Sequence, residues 1–85
     1  MAKICVLIPV LDEAQAIAAV VSSLRARNLD VAVVDDGSTD DSGAIARRNG
    51  AAVIRHEVKK GKGQSLRDGF RYALERGYDG VITMD

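Results

Sequence analysis

Short apolar runs alternate with helix-length amphipathic segments along this chain of 85 residues. Four of the runs, rich in β-branched and aliphatic residues, are predicted to form strands over 3–10, 31–34, 52–54 and 81–84. The first is apolar on both faces, as strands buried in parallel sheets are. Because a helical segment separates each pair of runs, the order βαβαβαβ predicts one α/β domain over 1–85, with a four-stranded parallel sheet and helices on both faces.

The starts of the helices are predicted from residues that cap helices. Asp12 is expected to cap the first helix, with Gln15 three residues later as its capping-box partner. Ser38 or Thr39 is expected to cap the second helix. The third helix is predicted over 64–76, with one apolar stripe made of Leu66, Phe70, Ala73 and Leu74.

Composition and charge narrow the possible functions. Hydrophobic residues make up 47% of the chain and charged residues 28%, as in ordinary globular proteins. The 12 basic side chains balance 12 acidic ones, so the basic surface typical of nucleic-acid-binding domains is not expected. No apolar run approaches the roughly 20 residues of a membrane helix, and no signal-peptide pattern is seen, so a cytoplasmic protein is expected. The single cysteine, Cys5, is expected to be a buried thiol.

Polar residues gather where the predicted strands end. In open parallel sheets, ligands bind beside the carboxyl ends of the strands, and here those ends lead into 9–13, Asp35 and Asp36, His56, and Asp85. Two adjacent carboxylates repel each other. The acidic pair therefore indicates either a ligand contact or a turn in which one Asp caps and the other is solvated. His56 is expected to be a surface loop residue rather than a catalytic base.

Lys62 lies between two glycines at the start of the third helical segment. Backbone N–H groups and the helix dipole favour an anion at such a start, and the lysine adds a charge suited to a diphosphate. The segment is not a Walker A loop, because Gly63 stands where Ser or Thr is needed. It is not a dinucleotide fingerprint either, because Leu66 occupies the third glycine position. Asp85 offers an oxygen ligand of the kind that Mg²⁺ or Mn²⁺ prefers.

Taken together and in order, four segments resemble the inverting family 2 glycosyltransferases with the GT-A fold, in particular dolichyl-phosphate mannosyltransferases and polyprenyl-phosphate sugar transferases. The segments are Ile8-Pro9-Val10-Leu11-Asp12-Glu13, Val33-Val34-Asp35-Asp36-Gly37-Ser38-Thr39-Asp40, Gly61-Lys62-Gly63 with Leu66 and Gly69, and Val81-Ile82-Thr83-Met84-Asp85. The family usually has Tyr-Asn before the glutamate, where this chain has Leu11-Asp12.

The resemblance implies a Rossmann-like half of a GT-A fold, with strand order 3-2-1-4 and the nucleotide of a sugar donor lying across the ends of strands 1 and 2. The nucleotide-binding residues that it implies are Pro9, Leu11 and Glu13 for the nucleoside, Asp36 for the base or ribose, Asp35 for the turn, and Lys62 for the ribose or diphosphate. Asp85 would match the first aspartate of the Asp-x-Asp motif, which holds Mg²⁺ or Mn²⁺ on the diphosphate.

The resemblance also implies transfer of a sugar from a UDP- or GDP-linked donor to a lipid phosphate, by direct displacement at the anomeric carbon. The family's catalytic carboxylate has no counterpart here. No catalytic residue is assigned, and the chain is expected to be an N-terminal part that stops where Asp-x-Asp begins and is inactive alone. A homo-oligomer is expected through the open edge of strand 4. The alternative is a non-catalytic α/β assembly or minimal folding module.

Overall fold

Four strands and three helices alternate in the computed structural model, which describes residues 2–84. The strands are β1 (Ile4–Val10), β2 (Asp30–Asp35), β3 (Ala52–Arg55) and β4 (Gly80–Thr83). The helices are α1 (Ala14–Ala26), α2 (Ser42–Arg48) and α3 (Lys62–Glu75). Every predicted strand is present with ends displaced by no more than one residue. Over the described residues, no helix has the length and hydropathy needed to cross a membrane.

The strands form one parallel sheet in the order β3-β2-β1-β4, which confirms the order that the resemblance implied. β1 and β2 lie at the centre because their residues are apolar on both faces, and they pair from Cys5 opposite Asp30 to Val10 opposite Asp35. The last residues of β2 and β3 are also partners, since Asp35 lies opposite Arg55. The segments that follow β1, β2 and β3 therefore leave the sheet side by side.

Two separate cores lie on the two faces of the sheet. The even-numbered residues of β1 pack with α1 and α2 on one face. Cys5 and Leu7 pack with α3 on the other, as the alternation of side chains along a strand requires. Helices thus cover both faces, as predicted. Cys5 is a buried free thiol, and burial raises its pKa.

The start of α1 differs from the prediction. The helix begins at Ala14 without a side-chain cap, so the capping box of Asp12 and Gln15 is wrong. Asp12 has a φ of 52°, and its Oδ1 instead accepts hydrogen bonds from the backbone N–H groups of Thr39 at 2.8 Å and Asp40 at 3.4 Å. Its carboxylate therefore stabilises the segment that precedes α2.

The start of α2 also differs, because the helix begins only at Ser42 and neither Ser38 nor Thr39 caps it. The Ser42 hydroxyl accepts a hydrogen bond from the backbone N–H of Glu13 at 2.8 Å. Asp40 accepts one from the first residue of α1 at 3.2 Å. The two helix starts thus satisfy each other's backbone groups through tertiary contacts, which local capping rules do not describe.

α3 begins two residues before its predicted start and buries a different stripe. Its buried positions hold small side chains, namely Ser65, Gly69 and Ala73. Phe70 is 40% exposed and Leu74 is 76% exposed, so the predicted stripe is wrong for both. It is confirmed for Ala73, which is buried, and for Leu66, which packs against the sheet. A Cβ at Gly69 would lie 2.3 Å from Cδ1 of Leu7. The helix therefore approaches β1 too closely for a larger residue.

Candidate functional site

The acidic pair at the end of β2 is buried, with Asp35 0% and Asp36 5% exposed. Oδ1 of Asp35 accepts from the backbone N–H of Ser38 at 3.0 Å, and its Oδ2 pairs with Arg55 at 2.5 Å. A Cβ at Gly43 would lie 2.7 Å from the same Oδ2, so α2 closes off this carboxylate. Asp35 thus braces the turn, and the alternative in which one member of the pair is solvated is wrong.

Asp36 accepts three hydrogen bonds inside the protein. Its Oδ1 lies 2.8 Å from His56 Nδ1 and 2.8 Å from the backbone N of Lys60, and its Oδ2 accepts from the backbone N–H of Gly61 at 2.9 Å. Burial alone would raise the pKa of Asp36, but the bonds from Lys60, His56 and Gly61 together hold it below its ordinary value of 3.8. Since a carboxylate has about four acceptor positions, Oδ2 retains room for one more donor.

His56 links β2 to α3 and is 5% exposed, so the prediction of a surface loop residue is wrong. Its Nε2 lies 2.7 Å from Oδ2 of Asp68 on α3, opposite the contact with Asp36. The hydrogen bond to Asp36, with the second carboxylate, raises the pKa of His56 above 6.5 although burial opposes this. Hydrogen bonds from Gln64 and then His56 lower the pKa of Asp68.

The segment 57–61 crosses over the turn that follows β2, and a glycine permits the crossing. Gly37 has a φ of 79°, in the left-handed region that favours glycine. A Cβ at this position would also lie 3.0 Å from the backbone N of Lys59. The close approach brings the next two backbone N–H groups onto the carboxylate of Asp36.

A groove of about 370 Å³ opens beside Asp36. It is lined by Pro9, Val10, Leu11, Glu13, Asp36, Lys59, Lys62 and Ser65. The structure thus brings together five of the six residues predicted to bind the nucleotide. The sixth, Asp35, lies behind the turn and does not line the groove. The predicted metal ligand, Asp85, lies outside the described residues.

The lining is chemically divided. Pro9 and Leu11 offer apolar surface at the end of β1, Glu13 adds a carboxylate beside them, and Lys59 and Lys62 add positive charge near the start of α3. The volume falls within the range of roughly 300–1,000 Å³ found for small-molecule sites. Over 2–84, no three His, Cys, Asp or Glu side chains group closely enough to hold a metal ion.

Sequence reasoning missed Ser65 and Asp68, and it named Lys59 only as part of a basic cluster that either meets an anion or is a solvated loop. The position of His56 could have been foreseen, because the predicted strand order and a common register place the residue after β3 beside Asp36. Asp68 carries no such signal, since an acidic residue in the middle of a polar helix is ordinarily solvent-exposed. Lys59 belongs to a run of basic residues in which nothing distinguishes the side chain that lines the groove.

Comparisons with known proteins point to one family. The family model described as Glycosyl transferase family 2 matches residues 5–85. Undecaprenyl-phosphate mannosyltransferase of Micrococcus luteus is 34% identical over 90 residues, covering 98% of this chain and 37% of that protein. Polyprenol monophosphomannose synthase of Mycolicibacterium smegmatis is 32% identical over 88 residues, covering 94% of this chain and 33% of that protein. The chain thus spans about a third of the length of these relatives.

Solved structures of glucosyl-3-phosphoglycerate synthase from Mycobacterium tuberculosis show the same fold. The complex with Mn²⁺, UDP and glucosyl-3-phosphoglycerate matches with a TM-score of 0.80 and 30% identity, over 99% of this chain and 33% of that one. The complex with Mg²⁺ and UDP matches with a TM-score of 0.79 and 32% identity, over the same shares of the two chains.

Proposed function

The chain belongs to glycosyl transferase family 2, and from this membership we propose that its groove binds the nucleotide of a sugar donor whose sugar the protein transfers to an acceptor. The observation that supports this most directly is the convergence on one groove of Asp36, Glu13 and Lys62, which come from three separate segments. The UDP-containing structures of the mycobacterial synthase support a nucleotide-sugar as the ligand class.

The chemistry of the lining suggests how the nucleotide lies. Oδ2 of Asp36 has room for one donor, so it would accept a hydrogen bond from a ribose hydroxyl or a base N–H. Pro9 and Leu11 would contact the base. Lys59 and Lys62, at the start of α3, would lie near the diphosphate, where positive charge and the helix dipole both favour an anion.

We propose a lipid phosphate as the acceptor, because two relatives are named for mannose transfer to polyprenyl phosphates. In such a transfer, the acceptor oxygen displaces the nucleotide directly at the anomeric carbon. None of the groove residues is assigned as the base for this step. Mg²⁺ or Mn²⁺ would neutralise charge on the diphosphate when bound, with Asp85 as the ligand that this chain is proposed to supply. The proposed location is the cytoplasmic face of a membrane.

We also propose that the chain self-associates through β4. This strand lies at an edge of the sheet and pairs with β1 on one side. Ile82 in this strand is 53% exposed, and Met84, which follows the strand, is 37% exposed. An apolar edge of this kind favours pairing with the corresponding edge of a second copy.

Nucleotide binding is testable on this chain by NMR titration with UDP and GDP in the presence of Mg²⁺. We expect amide shift changes confined to the surroundings of Glu13, Asp36 and Lys62. Asp36→Ala should weaken binding about tenfold or more, since a hydrogen bond to a charged group contributes about 1.5–3 kcal/mol. Asp41→Ala, which removes an exposed carboxylate outside the groove, is the matched control. Equal affinity of the two variants, or silence of all amides at millimolar nucleotide, would contradict the proposal.

A further inference from the structure

The side chain of His56 is held between two carboxylates. Nδ1 faces Asp36 at 2.8 Å and Nε2 faces Asp68 at 2.7 Å. Ionised carboxylates only accept hydrogen bonds, and a neutral imidazole has a single N–H, so both contacts are satisfied only when both ring nitrogens carry a proton. We propose that His56 is a positioning residue that, as an imidazolium, fixes Asp36 and the segment 57–61 in the arrangement that shapes the groove.

Among the described contacts of Asp36, the ring is the donor that is sensitive to pH. The other two donors are the backbone N–H groups of Lys60 and Gly61, which do not titrate in this range. Asp68 does not line the groove, and its contact with the ring connects it to Asp36. Only the expected effect on nucleotide affinity rests on the proposed function.

The charges that face the ring favour its protonated form. On the β2 side stands Asp36, and the neighbouring Asp35 is already paired with Arg55. On the α3 side stands Asp68, with Arg71 at 3.8 Å from its other oxygen. Lys60 and Arg71 line a depression together with Asp68. The 2.7 Å contact between Asp68 and the ring leaves no room for a cation between them.

The direction of the pH effect follows from these contacts. The pKa of His56 is raised above 6.5, chiefly by its hydrogen bond to Asp36. Its contribution to stability is therefore complete below about pH 6.5 and is lost as the pH rises through the raised pKa. Above that pKa, one ring nitrogen presents a lone pair to a carboxylate oxygen. We expect the segment 57–61 to loosen then, and nucleotide affinity to fall by up to about tenfold per pH unit.

The chain contains a single histidine, so its ring signals need no assignment. Long-range ¹H–¹⁵N spectra from about pH 5 to pH 9 should show both ring nitrogens protonated below a midpoint that lies above pH 6.5. The amide signals of Lys60 and Gly61 should titrate with the same midpoint as the ring. Asp68→Asn should lower both midpoints together by about one pH unit or more, because an opposite charge close to the ring is removed. Glu75→Gln removes an exposed carboxylate from the same helix and should leave both unchanged.

Several results would overturn the proposal. A ring midpoint at or below pH 6.5 would do so. Amides of Lys60 and Gly61 that do not follow the ring would also do so, and neither result needs a variant. UDP titrations in the presence of Mg²⁺ at each pH measure whether nucleotide affinity follows the ring. Affinity that falls with the ring midpoint, and shifts with it in Asp68→Asn, supports the positioning role, whereas constant affinity refutes it. Amides that follow the ring while UDP binds at no pH would support the positioning of the loop and count against the proposed function instead.

Discussion

Replacing Gly37 with alanine should damage the groove through backbone geometry alone. Gly37 has a φ of 79°, and a Cβ there would lie 3.0 Å from the backbone N of Lys59. Gly77 provides a matched control, because its φ is 78° and a Cβ there would meet nothing within 4 Å. The two substitutions impose the same local strain, and only the first also pushes on the segment that borders Asp36.

The expected magnitudes follow from that difference. Left-handed backbone costs an alanine about 1–2 kcal/mol, and restriction of the unfolded chain returns about 0.4–1 kcal/mol. Gly77→Ala should therefore lower the free energy of unfolding by at most about 1.6 kcal/mol. Gly37→Ala should lose about 1 kcal/mol more, at the low end for overpacking because the contacted segment is exposed. A domain of this size has roughly 4–13 kcal/mol of stability, so both variants should remain folded.

Chemical denaturation measures the stability difference, and NMR measures the site. In Gly37→Ala the segment has to move by a few tenths of an ångström. The hydrogen bonds from Lys60 and Gly61 to Asp36, now 2.8 and 2.9 Å, should then lengthen. We expect shifted amides for these two residues and weaker UDP binding, with neither change in Gly77→Ala. Equal stability losses and equal UDP affinity in the two variants would refute the reasoning.

Three further predictions concern the core, acid stability and assembly. Gly69→Ala should lower the free energy of unfolding by about 1–2 kcal/mol, because displacing Leu7 costs more than the gain in helix propensity. Gly63→Ala on the same helix should not destabilise the protein, because its Cβ would meet nothing closer than 3.8 Å. Equal melting temperatures of the Gly69→Ala and Gly63→Ala variants would contradict this prediction. The free energy of unfolding should fall as the pH drops below 3.8 through the lowered pKa of Asp36. Denaturation curves at several pH values should show a smaller loss in Asp36→Asn. Light scattering should detect a dimer that Ile82→Lys dissociates, and a monomer at high concentration would exclude the proposed edge pairing.

The elements of this fold could be predicted from the sequence because they depend on local patterns. The bodies of β1 and β2 are continuous aliphatic runs, which only a strand buried on both faces accommodates, and their length fixes the strand ends closely. The helix starts could not be predicted in the same way. Asp12 is of a residue type that often caps helices, but its carboxylate contacts Thr39 instead. This contact depends on the packing of two segments that are far apart in sequence.

The stripe of α3 was wrong for a related reason. Apolar periodicity assigns the largest side chains to the core, which favoured Phe70 and Leu74. The helix instead lies so close to the sheet that small residues such as Gly69 face Leu7. A glycine in the middle of a helix costs about 1 kcal/mol of propensity, so its presence was the available sign that packing, rather than pattern, sets this face.

The described residues that line the groove all lie between Pro9 and Ser65, although the chain covers about a third of its relatives' length. Asp36 receives its three donors from within that range, and Asp35, its buried neighbour, is paired there too. A site whose central carboxylate is already held in place needs little reorganisation to accept a ligand. We therefore expect the nucleotide affinity of this chain to depend on the order of the segment 57–61, which connects Asp36, His56 and the start of α3.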